Sequence, residues 1–357
     1  MAGAINPTPD ISVIFQTLAT TAIQRSELGI LYIVLKDETS TEKFTTITTI
    51  ADIDTKKWSE KSQKLIQLAM QSYSPKKIVA VRQETEEDIN TILTILKNRK
   101  MHWLACPNAE SEEDGKVVTW IKQVFGTEKI LKTVRYPSAF ATNSDHPAII
   151  ELANTGTYKS KLGDFTAQEY TVAIAGLFAG LPLNRSGDNI VMSDLLEVTD
   201  VEPALGKLSL YNDDGVVRIN MAVNSKTTFD STWKSDTRYI KIVEGMCIVV
   251  DDIRDTFKKY WQGNYISDYD NKMNFCSNVN KVYFKNLQPN VLNRDYENKI
   301  EIDFEQQKQA VILDGRYDPE EMTELEILKF GTGADVYLKG DVMFANTMVN
   351  LNLVITM

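Results

Sequence analysis

Two histidines, His102 and His146, and three cysteines, Cys106, Cys247 and Cys276, carry most of the capacity of this 357-residue sequence for metal binding or nucleophilic chemistry. Their spacing argues against both. The cysteines lie far apart, outside any CxxC pair and among apolar neighbours, which reads as buried free thiols in a reducing compartment. His102 precedes the apolar run Trp103 to Cys106 and reads as a structural imidazole. His146 stands between Asp145 and Pro147, but adjacent residues seldom face each other usefully, and a metal site needs more His or Cys than this. Gly331-Thr332-Gly333 has neither the Lys-Ser/Thr nor the preceding buried strand of a phosphate cradle, and no G-x-S-x-G elbow occurs. Acidic clusters at Glu84 to Asp88, Glu110 to Asp114 and Glu320 to Glu326 stand at helix starts, where capping and the helix dipole account for them. Asp251-Asp252 with Asp255 reads as a solvated helix surface rather than a metal-binding face. Phe257, Tyr260, Trp261 and Tyr265 read as core or subunit contacts. No catalytic, cofactor-binding or metal-ligating residue is therefore expected.

The elements that would have to position such residues alternate between strand and helix. Ile30 to Leu35 is a continuous apolar strand; Ser59 to Gln71 is an amphipathic helix; Lys77 to Val81 is again a strand. Thr85 to Asp88 has the form of a capping box opening a helix with Ile89, Ile92, Leu93 and Leu96 on one face. A strand at Trp103 to Cys106 and a helix capped at Ser111 to Asp114 follow, then a strand at Ile130 to Val134. Thr166-Ala167-Gln168-Glu169 is a second capping box, opening a helix that ends near Gly180. Buried strands separated by amphipathic helices imply an α/β fold with a mostly parallel sheet and flanking helices. Beyond it the pattern is mixed α+β. Asn212 to Gly215 marks a hairpin, and helices are expected over Glu244 to Trp261, Ser267 to Leu287, Gln306 to Leu313 and Pro319 to Phe330.

Composition excludes several classes. A net charge of −10 argues against a general nucleic-acid binder, and 43% hydrophobic with 25% charged residues is ordinary soluble usage. No apolar stretch is long enough to span a membrane, and Met1 to Pro9 has no signal-peptide pattern, so the chain is expected to be made in the cytoplasm.

The two ends differ from the rest. After Pro7 and Pro9, Ile11, Val13 and Phe15 share one side of an extended segment, although Ile14 breaks strict alternation. At the other end Val349, Leu351, Leu353 and Ile355 alternate with Asn350, Asn352, Val354 and Thr356, and no residue from Ala345 to Met357 is charged. Pattern alone leaves two readings of this end: an internal strand of its own domain, which it marginally favours, or β-strand addition to another chain.

An ordered series of segments resembles the contractile tail sheath family. It comprises Glu27-Leu28-Gly29-Ile30, Leu181 to Ser186, Leu196 to Glu202, Arg238 to Met246 running into Asp251 to Arg254, Gly263 to Lys272, and Ala334 to Leu338 before a final apolar strand. Short sheaths of Gram-positive myophages and diffocin-type, R-type bacteriocins look most similar. The resemblance covers most of the chain and is strongest from Asn184 onward. It implies a structural subunit, not an enzyme, that polymerises as stacked hexameric rings around an inner tube and contracts to drive that tube through a target envelope. It implies an N-terminal strand arm over residues 1–22, an α/β outer domain over 23–183 and an inner sheath domain over 184–357, with exchanged terminal strands and a terminal arm at 348–357. The expected partners are further copies of the chain, the tail tube protein, and baseplate and tail terminator proteins, with no cofactor, no direct nucleic acid and no membrane insertion. Assembly in the bacterial cytoplasm into a phage tail or a released bacteriocin particle follows from the same resemblance. The alternative is an α/β enzyme or small-ligand-binding protein, resting on the strand–helix alternation alone.

Overall fold

A computed structural model describes residues 29–354 except 40, 54–56, 127–132 and 289. Its contacts form two compact units, with bodies Glu27–Cys247 and Ile248–Ala345.

The larger unit begins β1 (Ile30–Lys36), β2 (Phe44–Ile47), α1 (Glu60–Leu68), β3 (Lys77–Gln83), α2 (Ile89–Leu96), β4 (Trp103–Ala105) and α3 (Ser111–Val124). It continues with β5 (Tyr136–Ser138), β6 (Ile149–Leu152), β7 (Tyr158–Ser160), β8 (Gly163–Phe165), α4 (Ala167–Gly180), β9 (Leu195–Glu197), β10 (Lys207–Leu208), β11 (Leu210–Asp213) and β12 (Val216–Ile219). β1 lies between β3 and β4 and runs parallel to both, while β2 pairs antiparallel with β3. Past β4 the Arg135 backbone donates to the His102 carbonyl and accepts from the Leu104 N–H, both at 3.0 Å. This carries the hydrogen bonding on to β5, β6 and β10, which also pair in parallel.

The apolar run of β1 is explained by cover on both faces. Leu31, Ile33 and Leu35 pack with Leu65 and Ile66 of α1 and with α4, whereas Ile30, Tyr32 and Val34 pack with Ile92 and Leu93 of α2 and Val117 and Ile121 of α3. α4 is buried nearly throughout, and Gly176 allows its close approach: a Cβ there would lie 2.1 Å from the Ala69 carbonyl oxygen. β7, β8 and β9 form a small antiparallel sheet, and β11 and β12 form the expected hairpin. Asp214 and Gly215, with φ of 46° and 84°, give this hairpin the left-handed turn that matches strand twist. The expected division at 183/184 falls inside this unit, because β10 pairs with β6 and β9 with β7.

Two helix starts differ from the sequence reading. α2 is capped by Asp88, whose side chain accepts from Asn90 N–H at 2.8 Å, because Thr85 is held instead by Glu38. α3 is capped by Glu110 in a reciprocal box with Glu113. The Thr166–Glu169 box stands as expected.

The chain passes from the larger to the smaller unit within α5 (Ile240–Thr256). α5 ends in a π turn at Phe257–Trp261, and the expected helix to Leu287 is α6 (Tyr269–Asn278), a π turn at Val279–Tyr283, and α7 (Phe284–Leu287). β13 (Lys299–Ile302), α8 (Phe304–Asp314), α9 (Glu324–Lys329) and β14 (Leu338–Asp341) complete the unit. α9 is shorter than the helix expected from Pro319, because Thr323 caps it in a box with Glu326. Trp261 packs edge-on to Phe275 at 5.2 Å, and these two build the local core, while the exposed Tyr265 lies against Trp261 at 4.5 Å.

Candidate assembly surfaces

The chemically capable side chains are tied into the fold. The three cysteines are buried, and burial pushes the Cys106 thiol well above its ordinary value. Asp114, which the sequence places among surface capping acids, is turned inward by α3. Its carboxylate accepts from the Tyr136 and Ser138 hydroxyls, each at 2.6 Å, and from Gln168 Nε2 at 3.1 Å. Burial raises its pKa although those hydrogen bonds oppose the shift. The solvated surface expected at Asp251-Asp252 is also corrected. Both are buried: Asp252 accepts from the Tyr283 hydroxyl at 2.8 Å and Asp251 pairs with Arg254, because this helix face packs on the π turn that carries Tyr283. His146 accepts from Ala148 N–H at 3.2 Å, and burial with nearby Lys122 and Lys226 lowers its pKa to about 4. Among the described residues no group of three or more His, Cys, Asp or Glu is placed to hold a metal, and no helix is long and apolar enough to cross a membrane.

An α/β sheet offers ligands a crevice beyond the carboxyl ends of its strands. Here that crevice has about 550 Å³ and is walled by Asn108, Glu110, Thr166, Gln168 and Glu169. Several of its polar groups are engaged within the chain. Asn108 accepts from Lys36 N–H, Gln168 bridges Ala139 N–H and the Cys106 carbonyl, and Glu169 completes a helix cap and pairs with Lys61. Two carboxylates beside one lysine also oppose a phosphate. This arrangement gives no support to the enzyme alternative.

The tail behaves differently. Ala345 N–H still bonds the Val291 carbonyl at 2.8 Å, but from Asn346 to Val354 there is no strand and no backbone pairing with another described residue. Leu351 is 85% exposed, Leu353 70% and Val354 89%, while Val349 is half-buried. The internal strand favoured by pattern alone is therefore not formed among the described residues. Ile11, Val13, Phe15 and Ile355 lie outside the described residues.

A sheet edge that sequence reading missed lies just before the tail. β13 and β14 make a two-stranded antiparallel sheet. On its β13 side, Ile300 exchanges both backbone groups with the Asn280 side chain, at 2.7 and 2.9 Å. Ile300 stands opposite Gly340, so residues 338, 340 and 342 point their backbone groups away from β13. No described residue bonds those groups. The signal in the sequence was the shared parity of Val336, Leu338, Val342 and Phe344, which marks a strand but not which edge stays open.

The fold so described is that of tail sheath proteins. The sheath tail protein of Listeria innocua superposes with a TM-score of 0.67 at 14% identity, covering 83% of this chain and 93% of that one. The contracted helical sheath of the anti-feeding prophage (AFP) gives a TM-score of 0.66 at 12% identity over 99% of this chain and 98% of its own. In sequence, the chain is 25% identical over 378 aligned residues to the tail sheath protein of Clostridium phage phiCD119, covering the whole of both. No family model matches. The chain is thus similar to tail sheath proteins along its whole length, as the ordered segments of the sequence imply.

Proposed function

We propose that this protein is a subunit of a contractile tail sheath, which polymerises as stacked six-fold rings around an inner tube and contracts to drive that tube through a target envelope. The observation that carries the reading is the uncharged tail, whose alternating leucines stand exposed with no backbone pairing to another described residue. Exposed apolar residues at strand spacing are a liability in a monomer and a linker in a polymer. The open edge of β14 is the receiving surface we assign to such a tail from another copy. Each added backbone bond contributes about 0.5–1.5 kcal/mol net, and repetition around a ring multiplies it.

In this reading Ile11, Val13 and Phe15 form a second arm. Linked arms let the bodies move between two packings without parting, which is the bistable interface that contraction needs. The free energy is stored at assembly, so no nucleotide site is required. Tube, baseplate and terminator proteins are the partners that a tail would supply, and the particle is a phage tail or a released bacteriocin. Electron microscopy of the purified chain should show rings or tubes. A chain ending at Met348 should stay folded and monomeric; a chain with intact ends that never assembles would count against the reading.

A further inference from the structure

The smaller unit contains an open cavity of about 420 Å³ whose walls include Phe257, Trp261, Tyr265, Phe275, Val336 and Lys272. Lys272 is the only charged side chain among the described residues of that wall, and it is only 4% exposed. Its ammonium donates to Thr332 Oγ1 at 2.8 Å, and no carboxylate among the described residues comes within ion-pair distance. Asp268, on the same helix, is occupied in capping: it accepts from Asn271 N–H at 2.8 Å. Burial pushes the Lys272 pKa down, with Asp268 opposing. An ammonium has three protons to donate, so this one has donors to spare beside an aromatic wall. A buried cation without its counter-ion is costly, and the cost is removed when a carboxylate arrives.

The sequence contains a segment of matching chemistry. Asp10 is the only charged residue among the first twenty-four, and it opens the run Asp10-Ile11-Ser12-Val13-Ile14-Phe15. In an extended chain Asp10, Ser12 and Ile14 share one side, opposite Ile11, Val13 and Phe15. Ile14 is the residue that breaks the alternation of the arm, and an apolar cavity beside a cation gives that break a purpose. We infer that the Lys272 cavity of one copy receives the Asp10–Ile14 side of a second copy's N-terminal segment, with Asp10 on the Lys272 ammonium and Ile14 against the aromatic wall. The assignment of a second copy rests on the sheath reading; the match of segment to cavity does not.

A charge swap in the full chain tests it. Asp10→Lys and Lys272→Glu should each raise the concentration needed for polymer about tenfold, roughly the effect of losing one partly buried ion pair. The double variant should recover to within about threefold of the parent. Lys272→Met should melt no lower than the parent, because it removes an unpaired buried charge, yet should assemble as poorly as Lys272→Glu. Single variants that assemble like the parent, or a double variant no better than the worse single, would overturn the inference. Calorimetric titration of the full chain with a peptide of residues 9–16 separates this result from the sheath reading. Binding lost in Lys272→Glu and regained with the Asp10→Lys peptide supports the cavity even if no polymer forms; no Lys272-dependent binding overturns it. Charge-swap effects confined to the melting temperature of the unassembled chain would mean that each cavity holds its own chain's segment, and would overturn the second-copy assignment.

Discussion

Replacing Leu351 and Leu353 together by serine should abolish assembly at working concentrations while leaving the free chain as stable as before. Both side chains already stand mostly in water, at 85% and 70% exposure, so their loss removes little packing from the isolated subunit. Surface substitutions of this kind change stability by about 0.5 kcal/mol or less. On a receiving sheet, each leucine would bury most of its surface, worth about 1.5–3 kcal/mol. Two of them amount to about 3–6 kcal/mol per tail, or roughly a hundredfold to ten-thousandfold in the association constant. The assay pairs sedimentation across a concentration series, which gives the concentration for polymer, with thermal melting of the unassembled subunit. Unchanged assembly would refute the reasoning outright. So would a melting loss as large as the assembly loss, since that would place the leucines inside their own subunit. Proline at Asn350 should act in the same direction by removing a backbone donor without touching an apolar group.

Other expectations concern the body of the fold. Gly176→Ala would drive a methyl into the Ala69 carbonyl, 2.1 Å away, and should cost about 1–3 kcal/mol or more in denaturant melts, with α1 and α4 pushed apart. Arg135, buried under Trp103, bonds Glu244 through Nε at 2.9 Å; Arg135→Met alone should cost about 3–5 kcal/mol, and adding Glu244→Leu should recover most of that in the same melts. His146 has a folded pKa of about 4 against an ordinary 6.5, so its contribution is complete above pH 6.5 and is lost as pH falls through about 4. His146→Gln should therefore flatten the decline in melting temperature across that window.

Much of the architecture was legible because period and cover agree. The all-apolar β1 announces helices on both sides, the Thr166–Glu169 box starts α4 where it should, and Asp214-Gly215 fixes its hairpin by backbone conformation. Legibility stopped where a residue had two physically equivalent uses. Thr85 and Asp88 both have cap chemistry, and only Glu38, brought beside Thr85 by the fold, decides between them. Asp114 and Asp252 sit in acidic runs that local rules assign to the surface. Tyr136, Ser138 and Tyr283, remote in sequence, supply the partners that let both be buried.

The ends show the same division. The sequence by itself determined that the tail is apolar, alternating and uncharged, because those are properties of residue type and order. Whether it lies inside its own subunit was a tertiary matter, since the same alternation satisfies any sheet edge. The structure leaves Leu351 and Leu353 in water and the outer edge of β14 without a described partner. Lys272 makes the point for charge: a lysine in a sequence is a surface residue by default, and only the packing of α6 against Thr332 turns it into a buried cation.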